Sequence, residues 1–335
     1  MSVAAPSAPA RLDVACLPTR VRPLHRVSAA WGGAQLWIKH DDETGAPLSG
    51  NKIRKLQYAI AQAIDAGADT LITCGGIQSN HCRATAALGA RLGLRTHLML
   101  RGEAPSQWTG NLLLDRLLGA SIHWMTPLQY QRHDALMAEL ADTLTKAGRR
   151  PFVIAEGCSM AVGSWGYIEA AREIVEAQQA HGVEFDAVVH AVGSGGTSAG
   201  LELGRRLHGL SARIIGINVC DDADHFVRHI ATLAAETVEA YDLPVHVPAA
   251  EIEILDGYVG LGYGRSRPEE LAELSTLART EGVLLDPVYG GKAWYALSQR
   301  WKTEPFAGMR NVLFLHTGGI YGLFPHADAL VEASA

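Results

Sequence analysis

Two of the six lysines lie where a glycine-containing loop leads into a helical pattern: Lys52 in LSGNKIRKL and Lys292 in DPVYGGKAWYAL. An amine in the first turn of a helix is close to the positive end of the helix dipole, which disfavours its protonated form. A neutral amine is a nucleophile. A lysine at a helix start can equally be an ordinary solvated side chain. These segments alone leave both interpretations open for both lysines.

The segment AVGSGGTSAGL, residues 191–201, joins an apolar run to a helical pattern through small residues. Glycines let the backbone approach a ligand closely, and N–H groups at a helix start attract anions. A Walker A loop is excluded because no lysine follows the glycines, and Ser198 stands where a dinucleotide fingerprint needs its third glycine. The alternative is a plain strand-to-helix turn. We expect a site for one phosphate, formed by Gly193, Ser194, Gly195, Gly196, Thr197 and Ser198.

Three further loops place polar or aromatic side chains beside glycines. In TCGGIQSNHC, Ser79 or Asn80 can cap a helix that continues through His81, and the N–H groups there can bind a carboxylate. Tyr289, before Gly290 in the Lys292 segment, is either an ordinary loop aromatic or a flat surface for a ring. The segment HTGG, at 316–319, ends an apolar run in a histidine that is more typical of structure than of catalysis.

The elements that carry these loops alternate between apolar runs and helical patterns from residue 53 onward, as in parallel strands joined by crossover helices. The sequence therefore predicts an α/β fold with open, mostly parallel sheets and flanking helices. Ligands bind beyond the carboxyl ends of strands in such sheets, so we expect the glycine-rich loops at 75–80, 193–197 and 317–319 to line one site. The predicted strands are Thr70–Cys74, Thr96–Leu100, Ser121–Met125, Phe152–Ala155, Asp186–Val192, Arg213–Val219 and Asn311–His316.

Composition restricts the class of protein. A chain of 335 residues, 48% hydrophobic and 19% charged, is long enough for two domains. Its net charge of -6 argues against nucleic acid as a partner and favours small molecules. Five cysteines without a CxxC pair indicate a reducing compartment and show no metal-ligand spacing. No run reaches the roughly 18 apolar residues of a membrane span, and residues 1–11 lack signal-peptide features, so we expect a cytoplasmic protein.

A phosphate site, a lysine at a helix start and an aromatic surface together suggest pyridoxal 5'-phosphate (PLP). The sequence resembles the D-cysteine desulfhydrase and 1-aminocyclopropane-1-carboxylate (ACC) deaminase family, which belongs to the tryptophan synthase β-like, fold type II group of PLP enzymes. The resemblance extends from about residue 12 to 326 through GNKIRKL, GGIQSNH, GSGGTSAGL, DPVYGGKA and HTGG, in family order. It implies a smaller domain at 52–160, a larger one formed by 1–51 and 161–335, and a homodimer.

The resemblance also implies which residues contact the cofactor. Lys52 would link covalently to the PLP aldehyde and later exchange protons, leaving Lys292 as a helix-start residue. The segment from Gly193 to Ser198 would hold the phosphate. Asn80 would hydrogen-bond the ring hydroxyl, and Tyr289 is similar to the tyrosine that packs on the ring.

On the substrate side, the resemblance implies that Ser79, Asn80 and His81 surround the substrate carboxylate. Tyr263, in LGYGRS, is similar to the tyrosine that faces the substrate. Lys52, Ser79, Tyr263 and Tyr289 are thus the expected catalytic residues. The expected partner is a small amino acid.

Two positions depart from the ACC deaminase pattern. Those enzymes have a glutamate that meets the pyridine nitrogen at the position of Gly290, and a leucine at the position of Thr317. A hydroxyl partner leaves the ring nitrogen closer to neutral and weakens the electron sink that cyclopropane opening needs. We therefore expect β-elimination from D-cysteine to pyruvate, sulfide and ammonia. Alternatives are ACC deamination, elimination from cysteate or another β-substituted alanine, β-replacement, and a non-catalytic PLP-binding protein.

A further set of residues beside the motifs is unusual for the family. These residues either fill the core or reshape the substrate pocket. They are Cys158, Met160, Trp165, Trp294 and Tyr321.

Overall fold

The computed structural model describes residues 8–334, so residues 1–7 of the N-terminal segment lie outside the described part. It contains two sheets, with strand orders β1-β2-β10-β7-β8-β9 and β5-β4-β3-β6. The strands of the larger sheet are β1 (Val21–Pro23), β2 (Gln35–His40), β7 (Ala187–Val192), β8 (Arg213–Asn218), β9 (Glu253–Leu255) and β10 (Asn311–His316). Those of the smaller sheet are β3 (Thr70–Gly76), β4 (Arg95–Arg101), β5 (Ser121–Met125) and β6 (Pro151–Val153).

Every strand pair is parallel except β1 with β2. The α/β fold with mostly parallel sheets is therefore confirmed, and each of the seven predicted strands is present within a few residues of its predicted bounds. The prediction missed β1, β2 and β9. The helices are α1 (His25–Trp31), α2 (Asn51–Asp65), α3 (Asn80–Leu92), α4 (Gly110–Leu117), α5 (Pro127–Tyr130), α6 (His133–Lys146), α7 (Ala161–His181), α8 (Gly196–His208), α9 (Ala223–Tyr241), α10 (Pro268–Glu281), α11 (Gly290–Arg300) and α12 (Ala327–Ala333).

Helices α2 and α8, which begin at two of the motifs, both pack against α7 through glycines. A Cβ on Gly166 of α7 would lie 2.4 Å from the carbonyl oxygen of Arg54 in α2. A Cβ on Gly200 of α8 would lie 2.5 Å from the Tyr167 Cβ of α7. Because larger side chains would push these helices apart, the glycines set the distance between the starts of α2 and α8.

A buried ionic cluster fixes α2 two residues after Lys52. The Arg54 guanidinium donates two hydrogen bonds of 2.8 Å to the Asp41 carboxylate and two of 2.8 Å to the Glu173 carboxylate. Lys39 donates to Glu173 at 2.6 Å, and the Tyr167 hydroxyl donates to Asp41 at 2.6 Å. Bidentate pairs of this kind fix both the distance and the orientation of the groups they join.

Within residues 8–334, no helix is long and apolar enough to cross a membrane. All five cysteines, which fall within this range, are free thiols.

Candidate active site

The carboxyl ends of β7 and β10 and the starts of α2, α3, α8 and α11 enclose one cleft. The lining residues are Asn51, Lys52, Asn80, Ala191, Val192, Gly193, Ser194, Gly195, Thr197, Ser198, Tyr289 and Thr317. The cleft thus brings together residues from all five motifs, as the sequence predicts for loops beyond strand ends.

Lys52 is the second residue of α2 and projects its amine into the cleft. Burial lowers the pKa of this amine, while the acidic neighbours Cys158, Glu156, Cys220 and Asp286 act in the opposite direction. The Nζ atom lies 3.5 Å from where a Cβ on Gly157 would stand, so the amine lies close to the Gly157 backbone. The amine is therefore easier to deprotonate than an exposed lysine.

The segment 193–198 forms a cradle of backbone N–H groups at the start of α8. Gly195 adopts φ +74 at the helix N-cap, a left-handed conformation that favours glycine. The first α-helical bond runs from Ala199 N to Gly195 O at 3.0 Å, so the N–H groups of Thr197 and Ser198 have no helical acceptor. Such a cradle binds an anion.

A lysine amine that the sequence analysis missed lies against this cradle. The Lys55 side chain is fully buried, and its Nζ is 2.8 Å from where a Cβ on Gly196 would stand. Within the described residues this amine has no hydrogen-bond partner. Burial, and then the charge of Lys52, hold its pKa well below the usual value. Its spacing from Lys52 was a usable signal, since residues three apart share one face of a helix.

Asn80 begins α3 and is oriented by a second asparagine. The Asn111 Nδ2 donates to Asn80 Oδ1 at 2.8 Å, and Arg83 Nε donates to Asn111 Oδ1 at 3.1 Å. With its oxygen bonded in this way, Asn80 presents its own Nδ2 donor, which lies 2.8 Å from where a Cβ on Gly319 would stand. Asn111 has no distinguishing pattern in the sequence, and only the fold brings α4 to α3.

Ser79 and His81 lie beside the cleft rather than along its lining. Ser79 is the N-cap of α3, as predicted, and its Oγ accepts from Cys82 N at 3.2 Å. The Thr73 hydroxyl donates to Ile154 O at 2.8 Å, so it accepts at 2.8 Å from Nε2–H of His81. The buried Nδ1 of His81 is then an acceptor, and burial holds the ring pKa well below its usual value. His81 can contact a carboxylate through its backbone N–H in the first helical turn, not through its ring.

Tyr289 and Tyr263 form one hydroxyl pair. Their oxygens are 2.8 Å apart, and their rings meet edge to face at 5.9 Å. The Tyr289 ring packs on Gly193, where a Cβ would lie 2.7 Å from Tyr289 Cε1. Tyr263 packs on Gly76 in the same way, 2.8 Å from Tyr263 Cε1. The pair therefore connects the cleft, at Gly193, to the loop that precedes α3, at Gly76.

Thr317 lines the cleft, and Gly290 begins α11 next to Tyr289. Nearby, the Asp286 carboxylate accepts from the backbone N–H groups of Val288, Tyr289 and Gly290 at 3.0, 2.8 and 2.8 Å. Burial raises the pKa of Asp286 to about 6, against the effect of these hydrogen bonds. The Asp286 carboxylate therefore accepts hydrogen bonds from the backbone N–H groups at the start of α11 and caps this helix.

Of the five unusual residues, two belong to the core. Trp165 is buried and packs edge to face on Tyr241. Trp294 is buried between Trp31 and Phe314. Neither lines the cleft.

The other three lie nearer the site. Cys158 is buried at φ +53 near both lysines of α2, and burial raises its pKa to about 11. Met160 packs against the adjoining core. Tyr321 donates its hydroxyl to Ala46 O at 2.8 Å, and the Arg83 guanidinium lies 5.2 Å from its ring centroid. Lys292, the other lysine at a helix start, is buried in α11 outside the cleft lining. Its Nζ donates hydrogen bonds to two backbone carbonyls.

These features fit a pyridoxal phosphate group. An N–H cradle suits a dianionic phosphate when it lies beside the buried Lys55 amine, which has no partner among the described residues. The lowered pKa of Lys52 favours the neutral amine that reacts with an aldehyde. The glycine backbone under the Tyr289 ring leaves space that a side chain would fill.

Comparison with known proteins agrees with this chemistry. The family model described as pyridoxal-phosphate dependent enzyme matches residues 12–318. The chain is 42% identical to the bifunctional D-cysteine desulfhydrase/ACC deaminase of Arabidopsis thaliana, covering 96% of this chain and 80% of that protein. It is 39% identical to a D-cysteine desulfhydrase of Yersinia pestis, covering 94% and 96%. It is also 40% identical to a putative ACC deaminase of Thermotoga maritima, covering 96% and 100%.

A solved structure described as an ACC deaminase homologue superimposes with a TM-score of 0.87 at 35% identity, covering 97% of this chain and 96% of that one. O-ureido-L-serine synthase, at 16% identity and a TM-score of 0.65, shares the fold alone. The chain belongs to the pyridoxal-phosphate dependent enzymes, in the group that includes the D-cysteine desulfhydrases and ACC deaminases.

Proposed function

We propose that this enzyme is a β-eliminating lyase that converts D-cysteine and water to pyruvate, hydrogen sulfide and ammonia. The observation that carries the proposal is the cleft itself, which is lined by a lysine with a lowered pKa, an anion cradle and Tyr289, whose hydroxyl contacts that of Tyr263. When bound, PLP supplies an aldehyde that links to amines and a ring that stabilises negative charge at Cα.

In this proposal, Lys52 and the α8 cradle bind the cofactor from opposite ends. The amine of Lys52 would carry the covalent link, and the free N–H groups at the start of α8, those of Thr197 and Ser198, would hold the phosphate together with the Lys55 amine. The Nδ2 of Asn80, whose orientation is fixed by Asn111, would donate to the ring hydroxyl. Tyr289 would shield the ring from water.

The substrate carboxylate would lie at the start of α3. There the N–H groups of Asn80 and His81 precede the first helical hydrogen bond, and the helix dipole favours negative charge. Two groups are candidates for the base that removes the α-proton: Lys52 Nζ and Ser79 Oγ. We assign this role to Lys52, because its pKa is lowered and because Ser79 has no hydrogen-bonded base among the described residues.

The leaving sulfur needs a proton as the Cβ–S bond breaks. Burial raises the pKa values of Tyr263 and Tyr289 above the ordinary phenol range, so both hydroxyls hold their protons at neutral pH. Tyr263 can donate toward the departing sulfur and regain a proton from Tyr289 across their 2.8 Å contact, and the proton that Lys52 takes from Cα restores the pair. The pair therefore acts as a proton donor on the substrate side.

D-Cysteine is favoured over ACC because, by the family resemblance, the side chain that would meet the ring nitrogen is the hydroxyl of Thr317 rather than a carboxylate. Asp286, the neighbouring carboxylate, is committed to three backbone N–H groups. Thiolate departure needs a weaker electron sink than opening of a cyclopropane, since a thiolate is a stable anion.

The test is a product assay with D-cysteine, L-cysteine, cysteate and ACC offered separately to the purified holoenzyme. Pyruvate and sulfide in a 1:1 ratio from D-cysteine support the proposal. Release of 2-oxobutyrate from ACC alone would assign the enzyme as an ACC deaminase. Sulfide release without pyruvate, in the presence of a second nucleophile, would indicate β-replacement, and a PLP-loaded protein inert to all four would be a binding protein.

We also propose the domain limits 1–51 with 161–335 and 52–160, a homodimer, and a cytoplasmic location. The separate four-stranded sheet, with strands between residues 70 and 153, supports the smaller domain. Light scattering of the purified protein and cell fractionation test the last two proposals.

A further inference from the structure

The segment 257–264, which carries Tyr263, has little stiffness of its own. Four of its eight residues are glycines with φ between +65 and +106: Gly257, Gly260, Gly262 and Gly264. Glycine restricts the backbone least of all residues, so such a segment loses much conformational entropy when it is fixed. Its own turns contribute single bonds from Gly262 N to Val259 O and from Arg265 N to Gly262 O, each 3.2 Å.

Lys292 donates hydrogen bonds to the carbonyls of both turns. Its Nζ donates to Val259 O at 2.6 Å and to Gly262 O at 2.8 Å, and the side chain is fully buried. Among the described side chains, Lys292 supplies all of the hydrogen bonds that backbone carbonyls of 257–264 accept. The carbonyl of Gly262 is the last backbone acceptor before Tyr263, so the lysine acts one residue from the functional hydroxyl.

A lysine suits this position because its ammonium offers three donors that can diverge to two carbonyls. Burial lowers the pKa of Lys292, whereas the Glu270 carboxylate raises it. That carboxylate packs on the same segment, since a Cβ on Gly260 would lie 2.8 Å from Glu270 Oε1. Even as a neutral amine, Lys292 would keep two N–H donors, so both bonds survive in either protonation state.

We propose that Lys292 is a positioning residue for catalysis: by binding Val259 O and Gly262 O it fixes segment 257–264 and thereby keeps the Tyr263 hydroxyl against that of Tyr289. The inference rests on the proposed function, in which Tyr263 faces the substrate. The proposal gives Lys292 a role distinct from that of Lys52. It also explains why a buried cation lies next to the site but outside the cleft lining.

The first test is hydrogen–deuterium exchange of the holoenzyme carrying Lys292→Met, which keeps an unbranched side chain but removes the donors. We expect faster amide exchange confined to 257–264, with unchanged PLP content. Lys302→Met, at an exposed lysine just beyond α11, is the matched control and should exchange like wild type. If Lys292→Met does not fold, Lys292→Gln keeps an N–H donor and should show a smaller effect in the same segment.

The second test is a double-mutant cycle with Tyr263→Phe, measured as kcat/KM for D-cysteine. Misplacement by about 1 Å can cost roughly 100-fold, so we expect a loss of about 10- to 100-fold for Lys292→Met, mostly in kcat. Because Lys292 acts through Tyr263, the double variant should lose little more than Tyr263→Phe alone. If the losses in kcat/KM of the two single variants multiply in the double variant, the residues act independently and the proposal is overturned. Amide exchange that rises throughout α10 and α11 instead of in 257–264 would also overturn it.

The two tests also separate this inference from the proposed substrate. A wild-type enzyme that does not act on D-cysteine would contradict the proposed function. The exchange experiment would still decide whether Lys292 fixes the segment, and the cycle would be measured with the β-substituted amino acid that the product assay identifies.

Discussion

The Lys55 amine and Gly196 are in contact at the start of α8: Nζ lies 2.8 Å from where a Cβ on that glycine would stand. The amine is fully buried and, within residues 8–334, has no hydrogen-bond partner. A buried donor without a partner is costly, so its retention indicates a ligand that completes it. The N–H cradle beside it indicates that the ligand is an anion, which agrees with the phosphate of PLP.

Replacing this lysine should weaken cofactor binding. A hydrogen bond to a charged group contributes about 1.5–3 kcal/mol, so Lys55→Met should raise the Kd for PLP by roughly 10- to 150-fold. The measurement is equilibrium titration of the apoenzyme with PLP, followed by absorbance. Lys146→Met, at an exposed lysine in the last turn of α6, is the control. Equal affinity in the Lys55 and Lys146 variants would exclude Lys55 from the phosphate site.

Adding one methyl group to the cradle should displace the aromatic surface. A Cβ on Gly193 would lie 2.7 Å from Tyr289 Cε1, closer than packing permits. Gly193→Ala should therefore lower PLP occupancy and kcat together. Gly322→Ala is the control, because its Cβ would meet its nearest atom at 3.8 Å. Full occupancy and normal kcat in Gly193→Ala would show that Tyr289 does not need its present position.

Removing the Tyr263 hydroxyl should affect chemistry and leave cofactor binding intact. Loss of a positioned proton donor typically costs 10²–10⁴-fold, so Tyr263→Phe should lower kcat for D-cysteine by about 10²-fold or more. PLP absorbance should stay at the wild-type level. Tyr241→Phe, at a half-buried tyrosine that packs on Trp165, should keep its activity. A normal kcat in Tyr263→Phe would remove the tyrosine pair from the mechanism.

The cluster around Arg54 should dominate stability in acid. Burial disfavours the ionised forms of Asp41 and Glu173, but Arg54 and Lys39 outweigh burial and lower the pKa values of both carboxyls. A lowered carboxyl pKa contributes stability above the unfolded pKa of about 4, and that stability is lost as pH falls through the folded value. We therefore expect the contribution of this cluster to the free energy of unfolding to be constant from pH 7 to about 5 and to fall below about 4.

Arg54→Met tests this cluster directly. Breaking a buried ion pair typically costs about 3–5 kcal/mol, because it leaves charges without partners. Urea unfolding at pH 7 should show a loss of that size. Its stability should also fall less steeply below pH 4 than that of wild type. A loss below about 1 kcal/mol would mean that the cluster is not a main stabiliser of α2.

Much of the fold could be predicted from the sequence because apolar runs mark parallel strands whichever residues surround them. The strand β2 was missed, since its last two residues, Lys39 and His40, look like surface residues. They can be buried because Lys39 pairs with Glu173, which is distant in the chain, and His40 hydrogen-bonds the carboxylate of Asp42 two residues later. β1 and β9, at three residues each, are too short to show a period.

The positions of the motif loops could be predicted because glycine turns and helix caps have local causes. Ser79 caps α3 and Lys52 opens α2, both as predicted. By contrast, Asn111 and the ring of His81 depend on contacts between elements distant in sequence, which a pattern along the chain does not contain. Lys292 belongs with them, because its partners Val259 and Gly262 lie about thirty residues away.

The most direct test of the account is to locate the lysine that binds the cofactor. The holoenzyme is reduced with borohydride, digested, and mapped by mass spectrometry, with Lys52→Ala treated in parallel. We predict a pyridoxyl group on the peptide containing Lys52, at close to one per chain, and loss of the reducible visible absorbance in the variant. A pyridoxyl group on Lys55 or Lys292, or a wild-type protein that takes up no PLP, would contradict the central claim.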